Sequence, residues 1–161
     1  MFTSGAYVAE QLSDLTDAQI QPNGVDLTLE MVLEPIDAGK IGTEGKTVGS
    51  RQAVPPSEVT EDGRTYYLPP GAYIAQYGET VTIPDGHIGF ILPRSSLLRN
   101  GCMLHTAVWD AGYTGRGEGL LTVHHDIEIE EGARIGQLVL AEANHSGTYD
   151  GSYQGERTET T

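Results

Sequence analysis

The chain has 161 residues, and its 23 Asp and Glu outweigh 9 Lys and Arg to give a formal net charge of −14. That length suits one domain with its own core, a single cysteine excludes a disulfide framework or a multi-cysteine zinc site, and no apolar run is long enough to span a bilayer. So negative a chain would be repelled by a nucleic-acid polymer. The first dozen residues lack both a basic and an apolar stretch, so no secretory signal is expected and the protein is read as cytoplasmic. Lys40 and Lys46 are its two lysines. A surface poor in lysine and rich in carboxylate suits a halophilic protein, because concentrated salt screens the self-repulsion.

The chain opens with the pattern of a short helix. Ser4 caps it, and Tyr7, Val8, Leu12 and Leu15 fall near one face. Pro22 and Gly24 end it, and Val25–Leu33 then alternates strictly between apolar and polar, the signature of a half-buried strand. Residues 35–65 are rich in glycine, proline and polar side chains and read as a long surface excursion with weak strands. Seven short β-type runs follow: Arg64–Leu68, Ala72–Tyr77, Thr80–Ile83, Ile88–Leu92, Met103–Trp109, Gly119–His124 and Arg134–Ala141. Turn signals such as Pro69-Pro70-Gly71 and Pro84-Asp85-Gly86 separate them, and one short helix is predicted over Arg94–Asn100. Many short strands at this spacing predict an all-β sandwich or barrel spanning residues 1–143. Residues 144–161 show no core-forming pattern and read as a flexible tail.

The charge is unevenly placed. Residues 86–125 hold Arg94, Arg99 and Arg116 against Asp110 and Glu118, a local +1, which leaves 21 acids against 6 bases in the rest of the chain. An anionic ligand explains such a window, because arginine grips phosphate bidentately while Ser95 and Ser96 add donors at a helix start. Pairing of the three arginines with nearby carboxylates is the competing explanation. Gly39–Thr47 imitates a phosphate-binding loop but has five residues between its outer glycines where the motif needs four. His124 and His125 are adjacent on a strand and point to opposite faces, so they do not chelate one ion. Cys102 reads as a small buried residue and Trp109 as core. Asp110 ends an apolar run just before a glycine turn, where a side chain reaches a pocket. Asp26 sits inside a strand and is either an inward or an outward residue.

Four blocks occur in order: Gln21-Pro-Asn-Gly-Val-Asp-Leu27, Pro93-Arg-Ser-Ser-Leu-Leu-Arg99, Ala107-Val-Trp-Asp-Ala-Gly-Tyr-Thr-Gly115 and Arg134-Ile-Gly-Gln-Leu138. Together they resemble the dUTPase and dCTP-deaminase superfamily, most nearly the archaeal dUTPases of its deaminase-like branch, over roughly residues 5–156. The resemblance implies a distorted β-barrel or jelly-roll-like fold with one or two short helices. It implies a homotrimer with active sites at subunit interfaces, dUTP as substrate, and Mg²⁺ held through the triphosphate rather than by the protein, with Asp26 as a candidate behind it. Arg94, Ser95, Ser96 and Arg99 match the phosphate-binding block, and Asp110 matches the acid that binds the deoxyribose and orients the attacking water. Gln137 matches a substrate-contacting glutamine. Backbone groups of the Met103–Ala107 strand, Thr106 and Ala107 among them, would read uracil. Residues 151–156, with Tyr153, resemble a tail that closes over the nucleotide, although Glu156 stands where the family often has glutamine.

The deaminases of this superfamily carry a proton-shuttling glutamate ten residues beyond that aspartate. In this chain the position is Leu120, or Thr122 if two residues are inserted, and Glu118 falls too early. Neither Leu120 nor Thr122 can transfer protons. The expected activity is therefore hydrolysis of dUTP to dUMP and pyrophosphate, with a dCTP deaminase, a bifunctional enzyme or a non-catalytic nucleotide-binding regulator as alternatives.

Overall fold

The computed structural model describes residues 1–158; residues 159–161, the end of the tail, lie outside the described residues. Its strands are β1 (Ile20–Gln21), β2 (Gly24–Pro35), β3 (Lys40–Gly42), β4 (Gly45–Thr47), β5 (Arg51–Ala53), β6 (Glu58–Thr60), β7 (Gly63–Leu68), β8 (Gly71–Tyr77) and β9 (Val81–Thr82). They continue with β10 (His87–Pro93), β11 (Cys102–His105), β12 (Thr114–Gly115), β13 (Glu118–Val123), β14 (Ile127–Glu130) and β15 (Arg134–Glu142). Helices α1 (Gly5–Ala9) and α2 (Ser95–Arg99) are one turn each, and Asp17–Gln19 forms a 3₁₀ turn. The Ser4 hydroxyl accepts from the Tyr7 N–H as an N-cap, worth about 1 kcal/mol.

The main sheet runs β10-β15-β2-β8-β13-β11, with β1 and β5 also paired to β2. It curls until its ends nearly meet. Just past β11 the Thr106 hydroxyl donates to the Ile91 carbonyl of β10 at 3.0 Å. The fold is thus an almost closed all-β barrel, as the strand spacing predicts. Val25, Leu27, Leu29, Leu121, Leu138 and Leu140 are fully buried inside it, each adding ~1.5–3 kcal/mol of burial.

Three expectations need correction. The alternation of β2 is not strict: its pairing with β8 slips between Leu29 and Met31, leaving Glu30 as an extra, unpaired residue. Its buried apolar side chains therefore run 25, 27, 29 and then 32, and Asp26 between them is buried as well. Strand β11 ends at His105 instead of Trp109, and Trp109 makes an isolated bridge to Gly89. Strand β14, against β7, was hidden because Glu128 and Glu130 alternate with just two apolar residues. The glycine-rich stretch that imitated a phosphate loop is the exposed hairpin β3–β4.

Candidate active site

The segment after β11 builds the site. Trp109 is fastened to Gly89 through both backbone groups, at 2.8 and 3.1 Å. The chain then turns. Gly112 donates to the Ile83 carbonyl at 2.8 Å, and Ile83 donates to the Tyr113 carbonyl at 2.9 Å. Gly112 has φ +85°, and a Cβ there would lie 2.8 Å from Thr148, so both backbone and space require glycine. Asp110 sits at the start of this stapled turn with its side chain exposed.

Asp110 lines a cavity of about 650 Å³ together with Ala107, Trp109, Tyr113, Glu118, Tyr149, Tyr153 and Glu156. Its aromatic wall is continuous: Trp109 meets Tyr113 edge-on with centroids 4.9 Å apart, and Tyr113 meets Tyr149 edge-on at 5.5 Å. The long excursion supplies another wall through Asp37, Val48, Gly49 and Arg51, a role that its sequence did not signal. Lys46 reaches across to place its ammonium 4.3 Å from the Tyr153 ring centre. A hollow whose apolar and aromatic surface is interrupted by charged groups at set points suits a base and sugar.

Glu118 faces the same cavity but is fully engaged. Its carboxylate accepts from Gln76 at 2.8 Å and pairs with Arg51. The Glu156 carboxyl is half-buried, and its pKa is raised by burial and by repulsion from Glu118, against the pull of Arg157 and Arg51. Leu120 is partly exposed on β13, and Thr122 is bonded to His105 at 3.1 Å.

The arginine block lies elsewhere. Arg94 precedes α2, and Ser95, Ser96 and Arg99 are exposed on that helix. Asp26, the strand acid of undecided orientation, faces inward at 1% exposure. It pairs with Arg94 Nε at 3.0 Å and Arg134 Nη1 at 3.3 Å, and it accepts from Gln137 at 3.4 Å. Burial pushes its carboxyl pKa up more than the two guanidiniums pull it down. Ser96 and Arg134 line a second cavity of about 280 Å³. None of the three main cavities among the described residues holds both Asp110 and the Arg94–Arg99 block. Two of the three arginines that made the central window positive have carboxylate partners within the chain: Arg94 on Asp26 and Arg116 on Glu30, the latter at 3.1 Å. Among the described residues no group of three His, Cys, Asp or Glu is placed to hold a metal ion. No described helix is long and apolar enough to cross a membrane.

An almost closed β-barrel with an aspartate on a glycine turn, facing an aromatic hollow, defines the class. A family model described as dCTP deaminase-like matches residues 3–143, and the chain belongs to that family. It is 59% identical to a probable deoxyuridine 5'-triphosphate nucleotidohydrolase of Halobacterium salinarum over 99% of this chain and 98% of that protein. It is 46% identical to a protein of the same description from Aeropyrum pernix over 88% of each chain. Among solved structures it resembles the 2'-deoxycytidine 5'-triphosphate deaminase of Agrobacterium tumefaciens, with a TM-score of 0.64 at 18% identity. That match covers 88% of this chain but spans about half (48%) of the deaminase chain. It also resembles the native EIAV dUTPase, with a TM-score of 0.50 at 17% identity, covering 88% of this chain and 92% of the other. These structural likenesses speak for the fold.

Proposed function

We propose that the protein hydrolyses dUTP to dUMP and pyrophosphate, with Asp110 orienting and deprotonating the water that attacks the α-phosphorus. The observation that carries this reading is the state of the two acids on the cavity wall. Asp110 stands exposed on a rigid turn, whereas Glu118 is tied by Arg51 and Gln76. A carboxylate held by two donors is ill suited to shuttling protons at a cytosine amino group, and Leu120 has none to shuttle. The descriptions of the archaeal relatives support the same substrate.

Arg94, Ser95, Ser96 and Arg99 bind the phosphates, and Gln137 contacts the substrate near them. Thr106 and Ala107 border the base, and Tyr153 covers it. Because one chain keeps the arginine block apart from Asp110, the complete site forms between chains of a homotrimer. In this reading Mg²⁺ is bound through the substrate's oxygens; when bound, it neutralises phosphate charge. Asp26, enclosed by two guanidiniums and an amide, holds Arg94 and Gln137 in place. The reaction takes place in the cytoplasm on free nucleotide.

Incubation of the purified protein with dUTP and with dCTP, each with Mg²⁺, tests the proposal by the products. Formation of dUMP from dUTP alone is expected. Formation of dUTP or dUMP from dCTP would establish deamination, and binding without turnover would establish a regulator.

A further inference from the structure

Glu30, Arg116 and Arg157 take no part in the chemistry above, yet they form the most heavily bonded cluster near the cavity. The bulge in β2 sets its origin. With Glu30 unpaired against β8, its side chain leaves the regular strand alternation, as bulges allow. Its carboxylate accepts from Arg116 Nη1 at 3.1 Å and pairs with Arg157 Nη1. Arg157 Nη2 donates to three backbone carbonyls: Tyr77 at 3.0 Å, Arg116 at 3.0 Å and Gly117 at 2.9 Å. Its Nε donates to the Arg116 carbonyl at 3.2 Å. A planar fork of five N–H groups can serve a carboxylate and several carbonyls together, which an ammonium cannot do in one plane. Arg157 also has φ +52°, a left-handed conformation that costs a non-glycine residue ~1 kcal/mol and persists where neighbours impose it.

The segment ahead of Arg157 is bonded along its length to the Asp110 turn. Tyr149 donates to the Ala111 carbonyl at 2.7 Å, Gly155 to Thr114 at 2.8 Å, and Arg116 back to the Glu156 carbonyl at 2.8 Å. The Gln154 side chain donates to Gly112 at 3.0 Å and accepts from Thr114 at 3.2 Å. Residues 149–157 thus form a strap, and Tyr149, Tyr153 and Glu156 line the cavity that contains Asp110 of the same chain.

We propose that Arg157 is the positioning residue that buckles this strap in cis, so that each chain's tail serves its own Asp110. The kinetic part rests on the function proposed above; the structural part does not. Arg157→Ala is expected to leave the far-UV spectrum of the barrel intact. Chymotryptic cleavage after Tyr149 and Tyr153 should then accelerate about tenfold. The emission of Trp109, the sole tryptophan, should shift to the red as Tyr149 leaves the edge of Tyr113. KM for dUTP should rise more than kcat falls, and Arg157→Lys should remain defective because it restores charge without the fork. Unchanged cleavage and emission in Arg157→Ala would overturn the proposal.

The cis assignment is tested by co-assembling Asp110→Asn chains with chains ending at Asp150, each checked for its barrel spectrum. In cis, no site receives both Asp110 and a strap, so activity stays at the sum of the parents. Recovery above that sum would show a strap working in trans and overturn the assignment. Should the wild type fail to turn over dUTP, the cleavage and emission measurements still decide the role of Arg157.

Discussion

The Tyr77 hydroxyl is the one fully buried side-chain polar atom without a hydrogen-bond partner among the described residues. Burial pushes its pKa well up, so it stays neutral and unpaired. It fits only because Gly119, paired across the sheet with Ala75, has no side chain: a Cβ there would lie 2.3 Å from that oxygen. A buried hydroxyl without a partner costs roughly 1–3 kcal/mol, so Tyr77→Phe should raise the denaturation midpoint. Thermal unfolding measures it, and a large drop would show that the hydroxyl is satisfied in solution. Asp110 contrasts with it as an exposed acid on a fixed turn. Asp110→Asn should lower kcat by ~10²–10⁴-fold while dUTP still binds, read by calorimetry against steady-state rates. An active Asn variant would refute the role. Asp110 was legible in sequence because an acid closing an apolar run before a glycine turn has few places to point. The Asp26 pairing with Arg94 and Arg134 was not legible, since it joins residues 68 and 108 positions apart by way of strand register.

At the scale of the element, the tail departs most from its sequence reading. Its composition has no apolar period, and its bonds are instead backbone, amide and guanidinium bonds, which leave no such pattern. The titration of Glu156 bears on its docking. With Glu118, Arg51, Arg157 and the Tyr113 ring around it, the folded-state pKa lies above that of the unfolded chain. A raised carboxyl contributes stability that is present while the group is protonated and is lost as pH rises through the folded pKa. Chymotryptic cleavage of the tail should therefore accelerate as pH rises through the window above the ordinary glutamate range. Glu156→Gln should flatten that profile, and an identical profile in the variant would remove Glu156 as its source. The barrel strands were legible because β8, β10, β13 and β15 are short β-type runs set off by turn signals. The bulge at Glu30 was not, because a one-residue slip is set by pairing with β8 and not by the composition of β2.

At the scale of the molecule, charge dominates. Asp26, Glu30, Glu118, Glu131 and Glu142 have ion-pair partners among the described residues, a small share of the 23 acids. The remaining carboxylates repel one another unless salt screens them, and the screening length falls to ~3 Å at molar ionic strength. Dilution from molar KCl should cost the protein its native circular dichroism; full stability in dilute buffer would show that packing alone suffices. The relative from Halobacterium salinarum fits this expectation. The sequence by itself determined the β class, the acid-rich surface, the Asp110 turn and the four blocks that mark the family, because each depends on composition or on neighbours within a few residues. The tertiary structure alone decided that Asp26 is buried under Arg94 and Arg134, that Glu118 is spoken for, that the excursion walls the cavity and that Arg157 fastens the tail. Those facts depend on strand register, one bulge and contacts across more than a hundred residues, which no local pattern encodes.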